Sequence, residues 1–310
     1  MTAWKFPLSL SYNSEGVVDG QGAQLLRIIS LFSICRFFRI RYRHIPIARI
    51  VNSEDRRSDE EIELYRDEEL LFFNSLVNFP SDSPPKFKKG EEKYSIKDLS
   101  RRSLLRLVMK SMVMRKQLVV SVDIPQAVTD KWPRILDASQ EELRKNISCY
   151  QEINVNAPEI AVHVRTNYNL FKMSNLSPGT IRRKTLLPDY YALALEKVSS
   201  KESKKEYGKL ENLGRIHIHT DLYASDLINF KGDSKLKTYS DWFSSISRNG
   251  DVYLFHQAPI VKTFSDWAFA KVFIMSTSSL SYVAGMFNQN RVIYPNGHGH
   301  SKLKRWEIVD

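Results

Sequence analysis

The chain has 310 residues, 42% hydrophobic and 26% charged, a globular composition with enough apolar material for one large domain or two of about 150 residues each. Lysine and arginine outnumber the acids by 46 to 35, and the net charge of +11 favours anionic partners such as nucleic acid, anionic lipid or a phosphorylated substrate, although basic charge is also a common solubility device. The two cysteines, Cys35 and Cys149, exclude a disulfide framework and a cysteine metal site, and they favour a reducing compartment.

The chain opens with a predicted strand, turn, helix and second strand. The segment FPLSLSY at 6–12 has the composition of a strand, a glycine turn follows, and an apolar run predicts a helix over Leu25–Phe38 with Cys35 in its core. The alternating apolar and basic residues of 40–50 predict the second strand. This order is typical of the start of a Rossmann-like sheet.

An amphipathic helix is expected within 95–112, with arginines opposite its apolar face, and a buried strand is expected at 117–125. The residues expected on the apolar face are Leu104, Leu105, Val108 and Met112.

From Glu159 onward, short apolar segments alternate with helical ones, which predicts a parallel sheet covered by helices on both faces. The predicted fold class is therefore α/β, with a Rossmann-like domain over 1–155, a second one over 156–310, and a cleft between them. The predicted strands of the second domain are EIAVHVR (159–165), GRIHIHTD (214–221), DVYLFH (251–256), KVFIMS (271–276) and RVIYP (291–295).

The sequence shows neither a signal peptide nor a transmembrane segment. The N-terminus becomes polar within about a dozen residues. The longest apolar stretch, 25–38, contains Arg27 and Arg36 and is too short to span a bilayer. A cytoplasmic protein without an integral membrane span is the resulting expectation.

Ligands of open α/β sheets bind beyond the carboxyl ends of the strands, so the residues directly after each strand are the candidates for a binding site. Four hydroxyl residues stand after KVFIM, at the start of a predicted helix, where backbone N–H groups and the helix dipole form an anion pocket. A serine-rich N-cap is the commoner explanation of such a segment, but four hydroxyls exceed what capping needs. These residues are Ser276, Thr277, Ser278 and Ser279.

Arg165 ends an otherwise apolar strand, where a guanidinium needs an anion nearby, and its planar shape suits a pyrophosphate. The alternative is an internal salt bridge. His163 points to the same face of the strand, although a lone strand histidine is more often a hydrogen-bonded core residue than a catalyst. Thr220 and Asp221 follow the next strand. Together with the hydroxyl residues, Arg165 predicts a bound diphosphate in the second domain.

The opening turn, DGQGAQ at 19–24, places Gly20, Gly22 and Gln24 before the first helix. It is not a dinucleotide fingerprint, because Leu25 occupies the position of the third glycine. The glycines let a ligand approach the backbone closely, and the Gln24 amide is expected to hold a ligand hydroxyl or phosphate.

These three motifs together resemble those of the fucosyltransferase-like glycosyltransferases. That superfamily shares a G-x-G-N-Q turn, an H-x-R strand end and a late S/T-x-S-S motif, which correspond here to GQGAQ (20–24), HVR (163–165) and STSS (276–279) in the same order and at about the same spacing. Ala23 departs from the usual asparagine, and RTN follows where fucosyltransferases often have RRGD or RRTD.

The resemblance implies a GT-B fold with two facing Rossmann-like domains, and a metal-independent, inverting sugar transfer from a nucleotide-diphospho sugar to a glycan or glycoprotein. GDP-fucose is the favoured donor, and a UDP-sugar such as UDP-xylose is the nearest variant. Metal independence also fits the absence of an Asp-x-Asp sequence, the pair that holds Mn²⁺ or Mg²⁺ in metal-dependent enzymes. No cofactor is expected.

Carried over from the resemblance, the roles fall on the motif residues. Arg165 neutralises the leaving diphosphate, and the serines at 276, 278 and 279 bind its oxygens. His163 and Asp221 lie near the donor, and the 20–24 turn faces sugar and acceptor.

Inverting transfer needs a carboxylate that takes the proton of the acceptor hydroxyl. Asp19, beside the glycine turn, is the first candidate, and Glu68 or Asp67 is the second. Asp266 is expected to cap a helix or contact the nucleotide ribose. The GHGH sequence at 297–300 is interpreted as a flexible tail rather than a metal site.

Two alternatives remain at this point. One is a basic nucleic-acid-binding module, suggested by RFFRIRYRHIPIAR at 36–49, in which aromatic residues alternate with arginines, although no nucleic-acid-binding signature accompanies it. The other is a sugar-nucleotide-binding pseudoenzyme that has lost turnover.

Overall fold

The fold was analysed in a computed structural model of the chain. It describes residues 6–13, 20–49, 59–82, 92–114, 117–148, 157–166, 186–202, 214–222, 225, 234–247, 251–256 and 258–309. The chain divides into two compact units, Met1–Cys149 and Tyr150–Asp310. The predicted domain boundary after residue 155 falls among residues 149–156, which lie outside the described ranges, and it stays a prediction.

The first unit is built around a four-stranded parallel sheet with strand order β2-β1-β4-β3. Its strands are β1 (Leu8–Tyr12), β2 (Arg41–Arg43), β3 (Glu92–Asp98) and β4 (Leu118–Ile124). Its helices are α1 (Gln21–Phe38), α2 (Asp59–Leu76), α3 (Arg101–Met114), α4 (Gln126–Lys131) and α5 (Gln140–Ser148), with a 3₁₀ helix at Pro133–Ser139.

The second unit is built around a six-stranded parallel sheet with strand order β10-β9-β8-β5-β6-β7. Its strands are β5 (Ile160–Val164), β6 (Ile216–Thr220), β7 (Val252–His256), β8 (Val272–Ile274), β9 (Arg291–Pro295) and β10 (Glu307–Val309). Its helices are α6 (Pro188–Glu202), α7 (Ser234–Ile246), α8 (Ile260–Phe269) and α9 (Ser279–Phe287).

The central strands are apolar because both faces of a parallel sheet are covered. Every residue of β1, β5 and β6 is buried. In β6, Ile216 and Ile218 face an apolar core with α6 and α7, whereas His217 and His219 face the opposite side of the sheet. The predicted α/β class with parallel sheets is confirmed.

The five strands predicted for the second half all form and alternate with helices as expected, and β10 is an additional strand that the sequence did not reveal. In the first half, α1 begins at Gln21 rather than Leu25, and the second strand is only three residues long. Cys35 is buried in α1, as expected.

The predicted helix at 95–112 is wrong at its start, because residues 95–98 belong to β3. This strand lies at the edge of its sheet, and its side chains alternate between half-buried and exposed. Lys93 and Lys97 are on the exposed side, an arrangement that discourages pairing with another chain. The alternating strand pattern of β3 is short and directly precedes the longer helical pattern of α3, so the sequence alone indicated a single helix.

Among the helices in the described ranges, none has the length and apolar character needed to cross a membrane.

Candidate functional site

Three adjacent strands of the second unit end at the same edge of the sheet and bring the predicted donor residues together. Strand β5 pairs in parallel with β6 on one side and with β8 on the other. Arg165 follows β5, Asp221 follows β6, and the hydroxyl segment 276–279 follows β8. Because parallel strands share one carboxyl edge, these residues border a single surface, at the place where ligands of α/β sheets bind.

His163 and Ser276 join two of the three sequence motifs by a direct contact. The Ser276 Oγ atom lies 3.0 Å from His163 Nδ1, and both side chains are buried. The imidazole stacks on Trp267 with a centroid distance of 4.2 Å. Burial, together with the nearby charges of Arg165 and His219, holds the pKa of His163 well below its ordinary value. The ring is therefore neutral near pH 7, and it orients the loop after β8.

The hydroxyl segment contains buried serines that hold the loop and two residues that are only partly buried. Ser276 Oγ accepts a hydrogen bond from the Ser278 N–H at 3.3 Å, and Ser281 Oγ accepts one from the Ser276 N–H at 3.0 Å. Ser278 caps α9 by accepting from the Leu280 N–H. Thr277 and Ser279 are half-buried. Capping thus explains Ser278, whereas Thr277 and Ser279 are the partly exposed hydroxyl residues of the segment.

Arg165 is half-buried and directly precedes Thr166, whose position Asp221 stabilises. The Thr166 backbone N–H and the Thr166 hydroxyl both donate to Asp221 Oδ1, at 2.8 and 2.9 Å. Thr220 is buried, and its hydroxyl oxygen accepts from the Leu222 N–H. Asp221 therefore holds the backbone next to Arg165, which is a positioning contact.

The segment predicted to be a flexible tail is packed at this site, so that interpretation was wrong. The rings of His298 and His300 lie 5.4 and 5.1 Å from Tyr282, and Tyr294 stacks on Trp306. The His300 N–H donates to His298 Nδ1 at 3.1 Å, which leaves the proton of a neutral ring on Nε2.

The Nε2 atom of His298 is buried and has no hydrogen bond of full geometry within the described ranges, but a looser backbone hydrogen bond with Ser278 raises the pKa of the ring against the larger lowering by burial. The N-terminus of α9 therefore has an imidazole N–H donor beside it that the sequence interpretation missed. The GHGH sequence could have indicated this, because glycines on both sides of a histidine allow a tight turn that packs its ring against the rest of the domain.

Three of the residues predicted for the first unit, Gly20, Gly22 and Gln24, lie at the start of α1. Gly20 is the N-cap residue, Gly22 is buried, and Gln24 donates from Nε2 to the Arg49 carbonyl oxygen at 2.9 Å. Asp67 and Glu68 are exposed on α2, and Asp19 lies outside the described residues. The ligand roles of these residues stay predictions.

Glu69, next to the predicted candidates, was missed. It is buried on α2 and accepts a hydrogen bond from Gln21 Nε2 at 3.2 Å, which brings a carboxylate to the first residue of α1. Phe72, Phe73 and Leu76 are buried on the same helix face at spacings of three, four and seven residues. This periodicity identifies position 69, rather than 67 or 68, as the inward-facing acid.

A second cluster of ionisable side chains surrounds Asp266 of α8, which is completely buried and precedes Trp267, the residue that stacks on His163. His217 Nδ1 and His219 Nε2 lie 2.8 and 3.0 Å from Asp266 Oδ2, and Lys262 Nζ lies 2.6 Å from Oδ1. Burial alone would raise the pKa of Asp266, but hydrogen bonds from His217, His219 and Lys262 hold it well below its usual range. Asp266 lies inside α8 and does not cap it, so that part of the prediction was wrong, and its complete burial argues against the alternative of a ribose contact.

Within the described ranges, His217, His219 and Asp266 are the one group with a spacing suited to a metal ion. Two imidazoles and a carboxylate match a zinc donor set. The ammonium group of Lys262, however, already lies against both carboxylate oxygens, at 2.6 and 2.8 Å, and supplies the positive charge that an ion would bring. The cluster is a charge-balanced hydrogen-bond network.

No family model and no curated protein sequence matches the chain. Among solved structures, the chain is similar to E. coli heptosyltransferase WaaC with ADP at 12% identity, over 97% of this chain and 92% of that chain, with a TM-score of 0.41. It is similar to POFUT1 in complex with GDP at 9% identity, over 99% of each chain, with a TM-score of 0.45. It is also similar to a mutant of Arabidopsis thaliana FUT1 in complex with GDP at 10% identity, over 96% of this chain and 71% of that chain, with a TM-score of 0.40. At these identities and TM-scores, the chain is assigned to no family.

Because the pKa of His298 is lowered in the folded protein, we expect the free energy of unfolding to decrease in acid. Burial, followed by the charge of His300, lowers the pKa of His298 to about 3, whereas an unfolded histidine titrates at about 6.5. The unfolded state therefore binds the proton more readily, so stability is complete above about pH 6.5 and is lost as the pH falls towards 3.

The free energy of unfolding of the wild type is expected to fall between pH 7 and pH 5. In the His298→Gln variant this fall is expected to be smaller by about 2 kcal/mol, because glutamine does not titrate. Urea denaturation at the two pH values measures this difference. An equal loss in the variant and the wild type would show that His298 titrates normally in the folded protein.

Proposed function

We propose that the chain is an inverting, metal-independent glycosyltransferase that moves a sugar from a nucleotide-diphospho sugar to a glycan or glycoprotein acceptor. The main support is the contact between His163 and Ser276, which joins the strand-end motif to the hydroxyl-rich helix start at one sheet edge. The proposal includes a GT-B arrangement, with a donor-binding domain over 156–310 and an acceptor-side domain over 1–155.

The diphosphate of the donor is bound at the carboxyl edge of β8, β5 and β6. Arg165 provides the permanent positive charge, and the N-terminus of α9 provides N–H groups and its dipole. Thr277 and Ser279 donate their hydroxyls, and the ring of His298, which interacts with the Ser278 backbone, borders the same helix start. Ser276 and Ser278 act indirectly, because their hydroxyls hold the loop in place.

Sugar transfer follows from this placement. The acceptor hydroxyl attacks the anomeric carbon, a carboxylate takes the hydroxyl proton, and the nucleoside diphosphate leaves with both electrons of the broken C–O bond. Arg165 and the α9 N-terminus stabilise the charge that develops on the leaving diphosphate. Asp19 and Glu68 remain candidates for the base, and Glu69 joins them because it reaches the first residue of α1.

The glycine turn fits a close approach by sugar or acceptor. Gly20 has φ −64° and ψ 160°, a conformation open to any residue. Among the described residues, no atom would lie within 4 Å of a Cβ atom at this position. The space beside the Gly20 backbone is therefore open to the approach of a ligand.

The nucleic-acid alternative is not supported by the side chains of 36–49. Base stacking requires a row of exposed rings. Tyr42 is fully buried, Phe38 is half-buried, and Phe37 is 55% exposed. A single exposed ring does not form a stacking platform.

A thermal-shift series with nucleotides tests the proposal. GDP, UDP and ADP, each with the matching monophosphate and sugar conjugate, are compared with inorganic pyrophosphate in the presence and absence of EDTA. One nucleoside diphosphate at about 100 times its Kd is expected to raise Tm by roughly 5 °C, more than its monophosphate does, and EDTA is expected to leave the shift unchanged. No shift with any nucleotide would contradict the proposal. Binding of the sugar conjugate without transfer or hydrolysis would indicate the pseudoenzyme instead.

A further inference from the structure

Helix α3 exposes a continuous apolar stripe. Its members are Leu105, Met109, Met112 and Val113, with exposures of 54%, 66%, 56% and 81%. Positions 105, 109 and 113 follow the i, i+4, i+8 spacing of one helix face. Leu104 and Ser111 are buried on the opposite face. The apolar face predicted from sequence was therefore wrong in part, because Leu105 and Met112 do not pack with Leu104.

The same helix has a strongly basic surface. Arg101, Arg102, Arg106 and Lys110 are all exposed, and α3 contains no acidic residue. Four positive charges thus flank four exposed aliphatic side chains over fourteen residues. This combination is typical of helices that lie in the interface of an anionic membrane.

A hollow of about 500 Å³ lies at the N-terminal end of α3. Basic side chains and one aromatic ring border it, and the Arg101 guanidinium lies 4.9 Å from the centre of the Trp132 ring. Tryptophan is enriched at the headgroup level of membranes, because its ring has an apolar body and a polar N–H. The residues that line the hollow are Ser100, Arg101, Arg102, Ala127, Val128, Lys131 and Trp132.

We propose that α3 binds the surface of an anionic lipid membrane, with the apolar stripe among the acyl chains and the basic residues at the headgroups. The aliphatic stripe distinguishes this surface from one for nucleic acid, which would need stacking rings. A second copy of the chain is disfavoured as the occupant, because a symmetric contact through α3 would bring two sets of four like charges together. The proposal does not depend on the activity proposed above.

Co-sedimentation of the purified chain with vesicles tests the proposal. Vesicles of phosphatidylcholine with 30% phosphatidylglycerol are compared with phosphatidylcholine alone, at low and at 0.5 M salt. The wild type is expected to bind the anionic vesicles at least about tenfold more tightly, with an affinity that falls as salt rises. The double variant Leu105→Ser with Met109→Ser is expected to lose at least about tenfold in partitioning.

Two matched controls separate α3 from general effects. Leu71→Ser removes a 74% exposed leucine from α2 and is expected to bind like the wild type. Arg102→Ser with Arg106→Ser is expected to weaken anionic binding more than Arg144→Ser with Lys145→Ser, which removes the same charge from α5. All replaced side chains are exposed, so the variants are expected to keep the wild-type Tm.

Three outcomes would overturn the proposal. The first is equal binding to anionic and neutral vesicles, or to neither. The second is retention of vesicle binding by the α3 variants. The third is a wild-type dimer that the Leu105 and Met109 changes convert to a monomer, which would assign the stripe to a second copy.

Discussion

Replacing Arg165 with alanine is expected to lower kcat/KM for sugar transfer by about 100- to 1,000-fold. Among the described residues that directly follow β5, β6 and β8 (165–166, 221–222 and 275–279), Arg165 is the one with a permanent positive charge. The measurement is transfer, or donor hydrolysis, with the nucleotide sugar found in the thermal-shift series. Because the side chain is half-buried, folding is expected to be little affected, and circular dichroism and Tm check this.

Arg215 supplies the matched control. It is also half-buried, but it directly precedes β6 and therefore lies at the opposite, amino edge of the same sheet. Arg215→Ala is expected to keep nearly full activity, whereas Arg165→Lys is expected to be intermediate, because an ammonium retains charge without the planar geometry. Undiminished transfer by Arg165→Ala would remove the basis of the donor site.

Replacing Asp266 with asparagine is expected to lower the free energy of unfolding by about 3 kcal/mol or more. The change removes a fully buried charge that accepts from His217, His219 and Lys262. The pKa of Asp266 is held low in the folded state, so its stabilisation is present above about pH 4, where the unfolded carboxyl titrates, and is lost as the pH falls below that value. Urea denaturation at pH 7 and across the acid range measures both effects.

The chain contains its own control for this substitution. Asp241 of α7 stands in the same Ser-Asp-Trp sequence as Asp266, but it is exposed. Asp241→Asn is expected to change stability by less than about 0.5 kcal/mol. Equal effects of the two substitutions would contradict a special role of the buried network. A decrease in the wild-type Tm with EDTA would assign the cluster to a bound metal instead.

The identical Ser-Asp-Trp sequences show why part of the site could not be predicted from sequence. Helical periodicity places both aspartates beside an inward-facing tryptophan, but the two histidine partners of Asp266 are on β6, about 50 residues earlier in the chain. Nothing local to α7 or α8 distinguishes a solvated acid from one enclosed by two imidazoles. The order of the strands in the sheet determines which strand each helix packs against, and this decides which of the two aspartates is enclosed.

Arg165 and the hydroxyl segment were accessible to sequence reasoning for a related reason. Apolar strands of a parallel sheet are easily recognised, and the residue after each strand must lie at the carboxyl edge. Their adjacency depends on β8 pairing with β5, which the sequence does not reveal. His298 was missed because its contact with the start of α9 depends on a turn at Gly297, whose φ is +81°.

The order of residues on α8 has a consequence for how this protein can vary. Asp266 and Trp267 are consecutive, so any turn of the helix about its axis moves the charge away from β6 and the indole away from His163 at the same time. A substitution that shifts one of these contacts is therefore expected to shift the other. The orientation of the imidazole next to Ser276 is thus coupled, through Trp267, to the buried charge of Asp266.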